Sequence, residues 1–124
     1  MIDMIYNWLK TYPGLFYIQR ERVDEAVSGS GLFFRGMSVV DRKWDLLGNP
    51  RCRKKLSFRL RHYDEPAQNP VFFMMLGAWV EETAPTFGLD QTVILKDAHC
   101  VRDSDLGLSL WEADLEITYT EEGL

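Results

Sequence analysis

RCRKKLSFRLRHY, residues 51–63, is the stretch on which the fold turns. Cys52, Lys54, Leu56, Phe58, Leu60 and His62 share one parity, and Arg51, Arg53, Lys55, Ser57, Arg59, Arg61 and Tyr63 share the other. A period of two is that of a β-strand with one face in a core and one in water. The water side here is almost purely basic. Its counterpart is SLWEADLEITYT, residues 109–120, within a strand predicted over residues 108–120. There Trp111, Ala113, Leu115, Ile117 and Tyr119 form the apolar side. Glu112, Asp114, Glu116, Thr118 and Thr120 form an acidic outer side.

Outward from these two strands the remaining elements follow. Ile2, Ile5, Leu9 and Tyr12 recur at helical spacing, so residues 1–12 read as a helix closed by Pro13-Gly14. Residues 15–23 read as a strand. Residues 24–31, DEAVSGSG, read as a mobile loop, since Ser and Gly supply neither core nor turn register. Residues 32–47 read as one or two strands with a bend at Gly36, and Leu47-Gly48-Asn49-Pro50 as a turn. Asn69-Pro70 reads as a helix start, with Asn as cap and Pro in the first turn, and the helix stops before Pro85. Phe72, Met75, Leu76 and Trp79 give it one apolar stripe. Phe73, Met74 and Val80 add another, which predicts burial on more than one side. Glu81 and Glu82 oppose its dipole at the C-terminal end. Residues 93–102 read as a further strand and residues 103–107 as a turn. No repeat or linker marks a second domain within residues 1–124.

Composition bounds the function. The chain has 124 residues, 46% hydrophobic and 27% charged, which suits one packed domain. Its longest apolar run, Val71–Val80, has ten residues against the roughly 20 of a membrane span. The N-terminal MIDMIYNWLK lacks a basic leader, so a cytoplasmic protein is expected, with Cys52 and Cys100 reduced. The net charge of −5 divides unevenly: residues 1–63 carry +6 and residues 64–124 carry −11. Such halves either interleave in the fold or complement a partner.

Motifs of chemistry are weak. No G-x-G-x-x-G, P-loop or nucleophile elbow is present. Asp103-x-Asp105 opens like a calcium loop, but Gly107 takes the next ligand position. Cys52, His62, His99 and Cys100 lack the close pairing of a zinc site, so no metal and no cofactor are expected. Asp64-Glu65, Glu81-Glu82 and Asp103/Asp105 lie at turns and helix ends, with no pocket indicated to tune them. The basic strand could follow a phosphate backbone, yet only Tyr63 on that face could stack on a base.

The order of parts resembles the small tail-terminator, or tail-completion, proteins of long-tailed bacteriophages, often labelled minor capsid proteins. The likeness rests on the helix 1–12 ending in Tyr12-Pro13-Gly14 and on the Ser/Gly-rich loop. It rests further on Gly36 with DRKWDLLGN (41–49) before the basic strand, on the helix 69–83 with Trp79 and then Pro85, and on the last hairpin with Gly107 and WEADLEI (111–117). The resemblance implies a non-enzymatic virion component assembled in the bacterial cytoplasm. Its fold would be α+β, a mostly antiparallel sheet of about 4–6 strands packed against an N-terminal and a central helix. Copies would form a ring, six-fold by resemblance, that caps the tail tube protein and docks a head-completion protein. DNA would pass through without being read. Head–tail joining or head closure is the neighbouring role. A cytoplasmic ligand-binding α+β domain is the alternative, for which an apolar pocket would speak. An unrecognised enzyme is another, for which a buried polar cluster at His62 or His99 would speak.

A ring needs two unlike surfaces that meet head to tail. Arg51, Arg53, Lys55, Arg59 and Arg61 are therefore expected to meet Glu112, Asp114 and Glu116, in a neighbouring copy or in the same chain. Asp24, Glu25, Ser28, Gly29, Ser30 and Gly31 are expected to form a loop that orders on the tube.

Overall fold

A computed structural model describes residues 1–15, 17–23, 29–44, 46–103 and 107–122. Among the described residues the chain runs α1 (Ile2–Leu9), a 3-10 turn (Pro13–Leu15), β1 (Gln19–Arg20), β2 (Gly29–Trp44), β3 (Pro50–Asp64), α2 (Gln68–Thr83), β4 (Leu89–Asp103) and β5 (Ser109–Glu122). The strands form one sheet in the order β1-β2-β3-β5-β4, antiparallel except for the short β1–β2 pair. This is an α+β fold with an N-terminal and a central helix.

β3 is central because its apolar parity can be covered. Leu56, Phe58 and Leu60 pair in register with Ile117, Leu115 and Ala113 of β5, and all six are buried. Ile5 and Leu9 of α1 and Phe73, Leu76 and Val80 of α2 join the same cluster on one side of the sheet. The helices are joined by aromatic rings. Trp8 stacks on Trp79 at 5.5 Å, and its indole Nε1–H donates to Thr83 Oγ1 at 3.1 Å.

Four local expectations are corrected. Residues 15–23 are not one strand: among the described residues of this stretch only Gln19–Arg20 pair in the sheet. Leu15 N donates to Tyr12 O and Ile18 N to Leu15 O, so the chain coils, and Leu15 and Ile18, three apart, are both buried. Gly29, Ser30 and Gly31 are not loop. They open β2 and pair with Tyr63, His62 and Arg61. Gly31 is required there by close approach, because a Cβ would fall on the carbonyl oxygen of Arg22. Asp24, Glu25 and Ser28 lie outside the described residues. Asn69 is not a cap. Ala67 precedes the helix, while Asn69 is fully buried and its amide donates to Asp64 O at 3.3 Å and Ser109 O at 3.1 Å. It ties the end of β3, the start of α2 and the start of β5 together. Finally, α2 buries one stripe, Asn69, Phe73, Leu76 and Val80. Val71, Met74 and Met75 are exposed, because nothing in the described chain covers that face.

β2 is a single strand with irregularities at Phe34/Gly36 and Val39/Asp41. Gly36 carries the first at φ +128°, a conformation other residues rarely adopt. β4 has three such irregularities, with Asp97 at φ +57° inside one. Bulges of this kind discourage sheet extension by a foreign strand.

Candidate functional site

The sheet face away from the helices carries the charges read from sequence. β3 pairs with β5 so that Arg61 stands opposite Glu112, Arg59 opposite Asp114 and Ser57 opposite Glu116. Arg61 Nε lies 3.2 Å from Glu112 Oε2 and Arg59 Nε 3.5 Å from Asp114 Oδ1. Lys55 Nζ lies 3.7 Å from Glu116 Oε1. β4 adds a third column. Lys96 Nζ reaches Glu116 Oε1 at 2.9 Å, and His99 Nε2 reaches Glu112 Oε1 at 3.2 Å. The acidic strand is thus sandwiched between cations on both sides. Glu112 is the centre of this ladder, with its side chain only 12% exposed. The hydrogen bond to Glu116 raises the Lys96 ammonium above its ordinary value. Of the five cations expected to meet these acids, Lys55, Arg59 and Arg61 do so within one chain, and Arg51 and Arg53 do not.

Arg51 and Arg53 lie further along, where the same face opens into a cleft of about 420 Å³ lined by Asp41, Lys43, Arg51, Arg53, Asp90 and Thr120. Arg53 donates to Asp90 O at 2.9 Å and Thr120 Oγ1 at 3.1 Å, and Lys43 pairs with Asp41 at 3.2 Å. Its cations are engaged by neighbours rather than arrayed along an open track.

A buried polar cluster that spacing did not reveal lies at the opposite end of β3. His62 Nδ1 and Ser30 Oγ are 2.5 Å apart, and His62 Nε2 is 3.3 Å from Asp64 Oδ2. The arrangement suits the tautomer with its proton on Nε2: Ser30 donates to Nδ1, and Nε2–H donates to Asp64. Burial lowers the His62 pKa from its ordinary 6.5, and Asp64 opposes this. The residue types are those of a nucleophile, a base and an orienting acid. The geometry is that of a clamp. Ser30 and His62 are each 5% exposed, and the Phe72 ring stacks on the imidazole at 3.8 Å. The Ser30–His62 bond links β2 to β3. Sequence marks His62 as a place where a buried polar cluster would speak for an enzyme, but not its partner, because Ser30 and His62 are 32 residues apart and meet only through the β2–β3 register.

The remaining features are apolar and exposed. The β2–β3 turn presents Trp44, 72% exposed, with Leu46 and Leu47 fully outward. At the other end of the sheet, an open groove of about 350 Å³ runs between the start of α2 and β4. It is lined by Pro70, Phe73, Met74, Leu95, Ala98 and Trp111 together with Lys96 and Asp97.

Cys52 is buried and Cys100 exposed. Among the described residues, no group of three His, Cys, Asp or Glu side chains is placed to hold a metal ion. No described helix is long and apolar enough to cross a membrane. No protein-family model matches this chain, and no curated protein matches it significantly.

Proposed function

We propose that this chain is a structural component of a phage or prophage virion, of the tail-terminator kind, that works as a ring of identical copies. Head–tail joining or head closure is the nearest variant of the same role. One observation carries the reading. The charges of the outer sheet face are largely paired within the chain, while large apolar side chains stand exposed at two separate ends of the sheet. Apolar patches left open by a packed core mark association surfaces. Two unlike patches on one protomer are what a cyclic, head-to-tail assembly requires. The order of elements adds the likeness to tail terminators. The ring, its tube and head-completion partners, and DNA passing through its lumen follow from that likeness.

Light scattering across a concentration series, with negative-stain images of the same samples, tests the reading. Rings, or caps on purified tail tubes, would support it. A protein that stays monomeric and fails to cap tubes would sink it. The ligand-binding reading would then be the one to test next.

A further inference from the structure

We infer that the first bulge of β2 carries a binding site for a phosphate group, built by Arg35, Ser38, Lys55 and Ser57; this does not depend on the ring reading. A hollow of about 310 Å³ opens there, lined by these four residues with Gly36 and Met37. The register explains its position. Gly36 stands opposite Ser57 and Ser38 opposite Lys55, while Arg35 is the extra residue of the bulge and has no opposite number on β3. Ser57 and Lys55 share the parity of Arg59 and Arg61, so the hollow lies on the sheet face away from the helices. Gly36 keeps it open, because nothing lies within 4 Å of where a Cβ would stand.

The donors of this hollow are uncommitted, unlike those on the rest of the face. Arg35 is exposed and pairs with no carboxylate among the described residues. The hydroxyls of Ser38 and Ser57 make no hydrogen bond to a described residue. Lys55 Nζ comes within 3.7 Å of Glu116 Oε1, but that oxygen already receives Lys96 Nζ at 2.9 Å. In the neighbouring 420 Å³ cleft, by contrast, Asp41 holds Lys43, and the Asp90 carbonyl and Thr120 hold Arg53. No carboxylate lines the smaller hollow among the described residues. Two cations and two hydroxyls around one open space form a donor set for an oxyanion. Their number favours phosphate. A tetrahedral group presents oxygens in several directions, a carboxylate in one plane only, and a guanidinium matches phosphate with two prongs. The hollow is shallow enough to hold the group and leave its carrier in solvent. Free inorganic phosphate and the phosphodiester of a nucleic-acid strand offer the same chemistry.

Amide NMR spectra of the isotope-labelled full chain test this, at neutral pH and constant ionic strength, against inorganic phosphate, acetate and a short single-stranded oligothymidylate in turn. Phosphate should move the amides of residues 35–38 and 55–57 saturably, with a Kd of about 1 mM. Arg35→Gln, a change at an exposed position, should weaken this about tenfold. Arg42→Gln, which removes an exposed cation outside the hollow, should leave it unchanged. The oligonucleotide moving the same amides at lower concentration than phosphate would support the site and assign its ligand to a nucleic-acid strand. Phosphate moving them without the oligonucleotide would support it and assign a small phosphate compound. Neither ligand moving these amides, or movement undiminished by Arg35→Gln, would overturn the site. Equal weakening by Arg42→Gln would overturn it as well, since general surface charge would then account for the binding. Acetate binding as tightly as phosphate would overturn the choice of phosphate.

Discussion

Reversing the charge at Glu112 is the most direct probe of the sheet's outer face. Glu112 receives Arg61 at 3.2 Å, His99 at 3.2 Å and Arg59 at 4.0 Å. Ion pairs near a protein surface contribute about 0.2–1 kcal/mol each, so the two arginine contacts together are worth about 1–1.5 kcal/mol. Glu112→Arg removes them and sets like charges opposite each other at similar cost, giving a total near 2–3 kcal/mol. For 124 residues the unfolding entropy is about 0.26 kcal/mol/K, so the Tm should fall by roughly 8–11 °C. Tryptophan fluorescence would follow the melt at two protein concentrations differing a hundredfold. The drop should be independent of concentration, and Arg61→Glu added to Glu112→Arg should recover about half of it. A Tm within ~2 °C of wild type would refute the intrachain ladder. A drop confined to concentrations at which copies associate would show that the pairs form between chains.

The buried His62 gives a pH signature. Its folded pKa lies below the ordinary 6.5, so the unfolded chain takes the proton first. Stability should hold above about pH 6.5 and fall below it by at most ~1.4 kcal/mol per pH unit. Urea midpoints for wild type and His62→Phe that fall in parallel between about pH 6.5 and 5.5 would exclude this. Ser30→Ala, which leaves Nδ1 buried without its donor, should cost about 1–3 kcal/mol in urea unfolding at neutral pH. Leu76→Ala should cost about 2–5 kcal/mol, whereas Met75→Ala, one position away on the exposed face, should change stability by less than ~0.5 kcal/mol; equal losses would show that α2 is covered on both sides. Gly36→Ala meets open space and should cost only backbone strain of about 1–3 kcal/mol. Gly31→Ala meets the Arg22 carbonyl and should cost clearly more, read as thermal melts of the two variants side by side.

The sequence by itself determined the strands and helices whose periodicity is long. The alternation in residues 51–63 and 108–120 assigns the buried side chains along the middle of both strands; at one end it fails, since Tyr63, on the basic parity, is buried opposite the buried Leu110 and so offers no ring to a base. It also determined that a row of cations and a row of acids would lie on outer faces. Tertiary structure decided that the two rows are neighbours. β5 lies between β3 and β4, a pairing of segments about 50 residues apart that no local pattern encodes. In residues 15–23 the local pattern favours a strand, whereas the chain turns through Tyr12–Leu15–Ile18 hydrogen bonds that bury Leu15 and Ile18 together. At Gly29–Gly31 glycine and serine signal looseness locally, while here Gly31 lets the Arg22 carbonyl approach and Ser30 bonds His62. Asn69 carries the same lesson: its residue type suits a cap, but only the meeting of β3, α2 and β5 supplies the two carbonyls that hold it buried. The exposed stripe of α2 could not be told from a second buried stripe, since Met74 and Met75 are equally apolar in either setting. Whether an apolar side chain faces core or water depends on what the rest of the chain brings over it, and that is decided only when the sheet has formed.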